Sequence, residues 1–161
     1  MSGAPVVTRV DEDAWRDWRD VRLAALADSP ESFAPSGPQE QALSEEAWRE
    51  MTRTAAIFIA TAGGTAVGVV AGLSRSHQER SLGAMWVAPA WRGRGVASML
   101  AGAVITWARS QGARRLGLWV PADGARACRF YEKQGFRATG RSRQFPGRPG
   151  RFIEEMLLDL G

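Results

Sequence analysis

The chain holds one cysteine, one histidine and one lysine among 161 residues. A lone Cys128 excludes an internal disulfide and any multi-cysteine metal centre. With His77 as the single histidine, a histidine-rich metal site and a Ser-His-Asp triad both fall away, so no metal is expected. No apolar run approaches the roughly 20 residues that cross a bilayer. The start, Met1-Ser2-Gly3-Ala4-Pro5, lacks a basic stretch followed by an apolar one. The expectation is a cytoplasmic protein with no membrane partner.

What is present is a globule's composition: 45% hydrophobic residues and seven tryptophans, in a length that suits a single domain over 1–161. The charge is uneven. Residues 1–80 carry 8 arginines and 12 acids (net −4), and residues 81–161 carry 12 arginines, one lysine and 5 acids (net +8), which sum to the chain's +4. A basic half suits an anionic ligand. Because 20 of the 21 basic residues are arginine, composition bias explains the excess equally well. No nucleic-acid motif or interleaved aromatic platform accompanies it, so nucleic acid is not expected as a partner.

Local signals order the elements as β-α-α-β-β-β-α-β-α-β-β. Residues 5–10 read as a strand. Asp11 caps a helix whose inward face is Trp15, Trp18, Val21 and Ala25. Residues 30–38, with three prolines, read as a loop carrying Phe33, and Ser44 caps a second helix. Strands follow at 55–61, 65–73 and 82–87, with Gly63-Gly64 as a hairpin turn. A long helix from Gly95 to Gly112 presents Val96, Val104 and Trp107 inward; Trp15, Trp18 and Trp107 are expected to be buried. After a strand at 115–120, Asp123 is read as the cap of a last helix with Ala127, Phe130, Tyr131 and Gln134 on one face. Two further strands, from Phe136 and from Phe152, close a mixed sheet with helices on both faces.

The stretch Arg92-Gly93-Arg94-Gly95-Val96-Ala97 is the most informative. A glycine-rich turn feeding a helix start gathers unpaired backbone N–H groups, and that arrangement binds phosphate. The dinucleotide fingerprint fails for want of its third glycine and its ribose-binding acid, and no Gly-Lys-Ser/Thr completes a P-loop. An ordinary loop-to-helix turn stays open on these residues alone.

The run from Val87 to Ala97 resembles the acyl-CoA-binding motif of the GNAT N-acetyltransferase superfamily, whose Arg/Gln-x-x-Gly-x-Gly/Ala core is matched by Arg92, Gly95 and Ala97. A second block, Ala127 to Phe136, resembles the family's later helix with its Tyr-x-x-x-Gly-Phe ending. The resemblance covers about Leu82 to Phe136. It implies an α/β fold with a central mixed, largely antiparallel sheet of six to seven strands, a splayed strand pair and about four flanking helices. It implies acetyl-CoA (coenzyme A) as acyl donor, held by Trp86, Val87, Arg92, Gly93, Arg94, Gly95, Val96, Ala97, Asp123 and Ala127. Residues 92–97 would take the pyrophosphate, Trp86 and Val87 would offer backbone groups to the pantetheine, and Tyr131 would act as general acid to the departing thiolate. A core tyrosine is the plainer reading of Tyr131.

In two places the chain departs from the family. No glutamate stands on either splayed strand, where many relatives keep a general base, and the candidates elsewhere are His77, Glu79, Asp123, Glu154 and Glu155. Adjacent on a strand, Glu154 and Glu155 must point to opposite faces. Where relatives carry a pantetheine-binding asparagine, this chain has Gly124, which leaves the polar contact to Asp123 or to backbone. Cys128 lacks a histidine partner and sits in an apolar helix pattern, against a nucleophilic role. Phe33, Trp119 and Glu155 are the expected acceptor-site residues, with core packing as the alternative for the aromatics. The resulting expectation is an acetyl-CoA-dependent N-acetyltransferase acting on an amine, a small molecule favoured over a protein terminus or lysine. The alternative is a non-catalytic acyl-CoA-binding or regulatory module on the same fold. A homodimer is left open.

Overall fold

The computed structural model describes residues 3–161. Strands β1 (Val6–Arg9), β2 (Ala56–Ala62), β3 (Thr65–Ser74) and β4 (Glu79–Val87) form an antiparallel meander. Its β2–β3 turn is made by Gly63 and Gly64, both left-handed at φ 58° and 82°, the conformation a two-residue hairpin requires. Strands β5 (Arg115–Pro121), β6 (Arg137–Gln144) and β7 (Phe152–Asp159) complete a seven-stranded sheet in the order β1-β2-β3-β4-β5-β7-β6. Among the described residues, only β4 and β5 pair in parallel.

The helices are α1 (Trp15–Asp28), α2 (Gly37–Gln41), α3 (Glu45–Thr54), α4 (Val96–Ser110) and α5 (Ala125–Lys133). The Asp11 carboxylate accepts from the N–H groups of Asp13 and Ala14 to open the turn before α1, and Ser44 Oγ accepts from Ala47 N–H to open α3. Short α2 stands partly in what reads as an irregular loop; Pro38 sits in its first turn, where a missing N–H costs nothing. Three local expectations need correction. Asp123 does not cap α5: the cap position is Gly124, no side chain fills it, and the Asp123 carboxylate lies 3.5 Å from Arg151 instead. Strand β4 begins at Glu79 rather than Leu82. Trp107 is half-buried, its ring lying over Gly72, where an added Cβ would come within 2.5 Å of it.

Two cores flank the sheet. One packs Val96, Leu100, Val104 and Ala108 of α4 and Tyr131 of α5 on Leu116, Leu118, Val120 and Met156. The other packs Trp15, Trp18 and Val21 of α1 and Trp48 of α3 on Ile57, Ile59, Val69 and Trp86. This second core takes no buried residue from β5, β6 or β7.

The sheet opens between β4 and β5. They pair only through Glu79↔Arg115, Arg80↔Leu116 and Ser81↔Gly117, although β4 runs on to Val87 and β5 to Pro121. A bulge in β4 is the local cause: between the pairs Trp86↔Val69 and Gly83↔Ala71, two residues of β4 face one of β3. Ala84, in that bulge, has φ 56° and is the one non-glycine residue with positive φ among the described residues. Holding it there costs on the order of 1–2 kcal/mol, which surrounding packing offsets.

Candidate active site

The turn at 92–95 and the start of α4 border a groove of about 680 Å³. Gly93 (φ 76°) and Gly95 (φ 84°) are left-handed, and Gly95 is the N-cap. Having no side chain, Gly95 cannot cap the helix as Ser44 caps α3. The first intrahelical bond there runs from Met99 N–H to Gly95 C=O, so Val96, Ala97 and Ser98 present N–H groups with no helical acceptor. No acid stands in this first turn, whereas α3 has Glu45 and Glu46. An uncapped, acid-free helix N-terminus of this kind favours an anion.

The opposite wall comes from α5. Arg126, Arg129 and Lys133, spaced three and four apart, line the groove with Phe130 and Gln134, and Gln134 Nε2 reaches across to Ser98 Oγ at 3.1 Å. These cations were not among the residues the sequence singles out, although their helical spacing was the available signal. Of the expected donor-site residues, Val87, Arg92, Gly93, Gly95, Val96 and Ala97 line the groove. Arg94 lies over the Trp91 ring at 5.0 Å, Ala127 packs half-buried against the α4–α5 core, and exposed Asp123 stands outside the lining.

Val87 and Trp86 divide their tasks by strand alternation. Ala88 N–H bonds to Val67 C=O, which makes that a hydrogen-bonded pair; Trp86 is then bonded to β3 and Val87 faces the gap. The Val87 carbonyl accepts from Arg92 Nε at 3.0 Å, which leaves its N–H directed into the splay. The Trp86 side chain points to the other face, where its Nε1 donates to Asp28 Oδ2 at 3.0 Å, and Arg92 donates to the same oxygen at 2.6 Å. Arg92 thus braces the turn against the end of α1. Asp28, absent from the sequence expectations beyond marking a helix end, joins three elements.

The Asp28 carboxyl is held below its usual range by hydrogen bonds from Trp86, then Ser29 and Arg92. A depressed native pKa contributes stability above the unfolded value of about 4, and that contribution is lost as pH falls through the native value. Melting temperatures of the native chain and Asp28→Asn should therefore differ by a constant amount from neutrality down to about pH 5 and draw together as the pH falls further below the unfolded value of about 4. A gap that persists at the acid end would contradict the assignment.

Tyr131 is buried in α5, in edge contact with Phe130 at 5.0 Å and Phe136 at 5.6 Å. Its hydroxyl makes no hydrogen bond to the described residues, and burial pushes the phenol pKa well above its usual value, so it stays protonated. Cys128 packs half-buried against the same core, far in sequence from the exposed His77 of the β3–β4 turn.

A second groove, about 410 Å³, is lined by strand residues and the β3–β4 turn, with no helix residue among the described ones. Trp119 and Glu155, register partners on β5 and β7, line it with Ser81, Arg141 and Arg143. Phe33 is not part of it: its ring lies under Arg22 at 4.9 Å, and its carbonyl accepts from Arg148 of the β6–β7 loop. Of the base candidates, Glu154 is exposed and Glu155 buried, facing opposite ways as adjacent strand residues must. Glu155 and Glu79 share Arg75, at 3.2 and 2.5 Å. Burial works to raise the Glu79 pKa, but hydrogen bonds from Arg75 and Arg115 outweigh it and hold the group below its usual range, a poor setting for a base.

Residues 9–136 match the model of the acetyltransferase (GNAT) family. No curated protein matches the chain in sequence. Among solved structures, the chain is similar to a GNAT-family acetyltransferase from Streptococcus pneumoniae (18% identity, 98% of this chain and 100% of that one, TM-score 0.81). It is also similar to an N-acetyltransferase from Staphylococcus aureus Mu50 (17% identity, 99% and 100%, TM-score 0.80). A third is a putative acetyltransferase from Salmonella typhimurium, solved with its cofactor acetyl-CoA (17% identity, 99% and 95%, TM-score 0.77).

Proposed function

This chain belongs to the acetyltransferase (GNAT) family, and from that premise we propose that it transfers an acetyl group from acetyl-CoA to a primary amine by direct attack. One observation carries the reading: the uncapped, acid-free N-terminus of α4, opened by two left-handed glycines and faced by α5 cations, beside a gap in the sheet. The pyrophosphate falls to the N–H groups of Val96, Ala97 and Ser98. Arg126, Arg129 and Lys133 supply positive charge for a further phosphate. Arg92 serves by bracing the turn, through Val87 and Asp28.

Acetyl-CoA, when bound, supplies an activated thioester. The Val87 N–H, directed into the gap, stabilises charge on a carbonyl oxygen there. Tyr131, kept protonated by burial, donates to the departing sulfur. The new bond is amine nitrogen to acetyl carbon, the broken one is carbon to sulfur, and the amine's surplus proton passes to water, which in turn returns a proton to Tyr131. No carboxylate is assigned as base, because Glu79 and Glu155 are both held by arginine.

Release of free thiol from acetyl-CoA tests the reading. Across a panel of amines, thiol should appear only with both acetyl-CoA and an acceptor present, with acetylated amine in equal amount. Tight acetyl-CoA binding with no amine-dependent thiol release would favour the non-catalytic module.

A further inference from the structure

We propose that the acceptor is a small amine that also carries a carboxylate, held by Arg143 and Arg141 beside the Trp119 ring. The inference rests on the acetyl-transfer reading above and names the acceptor class which that reading leaves open.

Position comes first. Ser81 is the last β4 residue paired with β5, and Trp119 stands two residues beyond the last paired residue of β5, Gly117. Both line the second groove, so it meets the closed end of the gap. Leu116, Leu118 and Val120 point into the α4–α5 core, so Trp119 faces the other way by alternation. An amine resting on it approaches the gap from the side opposite the donor groove. The volume of about 410 Å³ is that of a small-molecule site.

Charge decides the class. The groove has two carboxylates, and both are satisfied. Arg75 spans them, Arg115 adds a second contact to Glu79 at 3.3 Å, and Glu155 also takes the Thr139 hydroxyl at 3.0 Å. Gly117 permits this arrangement, since a Cβ there would come within 2.5 Å of the Arg75 guanidinium. Little negative charge is left for a polycation. Arg141, with its side chain 73% exposed, touches Glu155 only at 3.4 Å. Arg143 lies 4.3 Å over the Trp119 ring and has no carboxylate within ion-pair distance among the described residues. A planar guanidinium already oriented on an indole is suited to a carboxylate. Polyamines meet the same arginines as like charge.

The test compares amines in pairs at saturating acetyl-CoA: β-alanine against propylamine, 4-aminobutyrate against butylamine, with spermidine and a C-terminally amidated tripeptide alongside. Each amino acid should exceed its partner lacking the carboxylate by at least tenfold in kcat/KM, and Arg143→Gln should remove that advantage. A preference for spermidine, propylamine, butylamine or the tripeptide, or an advantage that survives Arg143→Gln, overturns the class while leaving acetyl transfer intact. Calorimetry of the same amines with the CoA-saturated protein separates the two claims. Carboxylate-dependent binding without turnover of any amine would overturn acetyl transfer and leave the ligand class standing. Absence of carboxylate-dependent binding would overturn the class.

Discussion

A Gly95→Val chain should fold and yet bind acetyl-CoA about a hundredfold more weakly than the native chain. Gly95 is left-handed at φ 84°, where a side chain costs on the order of 1–2 kcal/mol and a β-branched one more. An added Cβ would meet no atom within 4 Å, so the fold itself has room for it. The room is on the open side of a residue that lines the donor groove. The loop must therefore either absorb the strain or shift, and a shift misaligns the N–H groups of Val96, Ala97 and Ser98. Losing one hydrogen bond to a charged group costs roughly 1.5–3 kcal/mol. When the loop shifts, a loss toward the upper end of that range is about a hundredfold in the dissociation constant. Calorimetric titration, with circular dichroism to confirm folding, checks it. Undiminished affinity in a folded variant would remove the turn from the donor site.

Tyr131→Phe should lower kcat by about ten- to a hundredfold with little change in the KM for acetyl-CoA. General-acid catalysis contributes about 10²–10⁴. The effect falls at or below the lower end here because a thiolate, with a reference pKa near 8.5, departs readily without much help. The hydroxyl makes no hydrogen bond to the described residues, so its removal withdraws no partner and the ring contacts with Phe130 and Phe136 persist. The melting temperature should accordingly stay within about 2 °C, a fraction of a kcal/mol for a chain of this size. Full turnover in the variant, with acetyl transfer shown to limit the rate, would return Tyr131 to a core role.

What was legible in the sequence was local. The turn at 92–95 announces itself through glycines and a helix start within six residues, and Gly63-Gly64 does the same for the hairpin. Glu154 and Glu155 were certain to face opposite ways, because strand geometry alone decides it. The cause of the splay was hidden: Ala84 carries no sign that it will adopt positive φ, since the bulge depends on how β3 pairs with β4. The Asp28–Trp86–Arg92 junction was equally hidden, because its members lie 58 and 64 residues from Asp28 and meet only through packing. Asp123 misled because its side chain is a good cap in isolation; the helix starts one residue later, and Arg151 takes the carboxylate. The cations of α5 were readable from their spacing, but the apolar face of the same helix drew the reading inward. Trp107 was expected inside because it falls on the stripe of α4, yet its ring rests on Gly72 of β3 and stays half-buried.

The central claim, an acyl-CoA donor site at the start of α4, is tested most directly by following backbone amide resonances of the full chain as coenzyme A is added. The largest shifts should fall on Val96, Ala97 and Ser98, with Val87 moving in the same titration. Saturable binding that shifts amides elsewhere and leaves these four in place would contradict it.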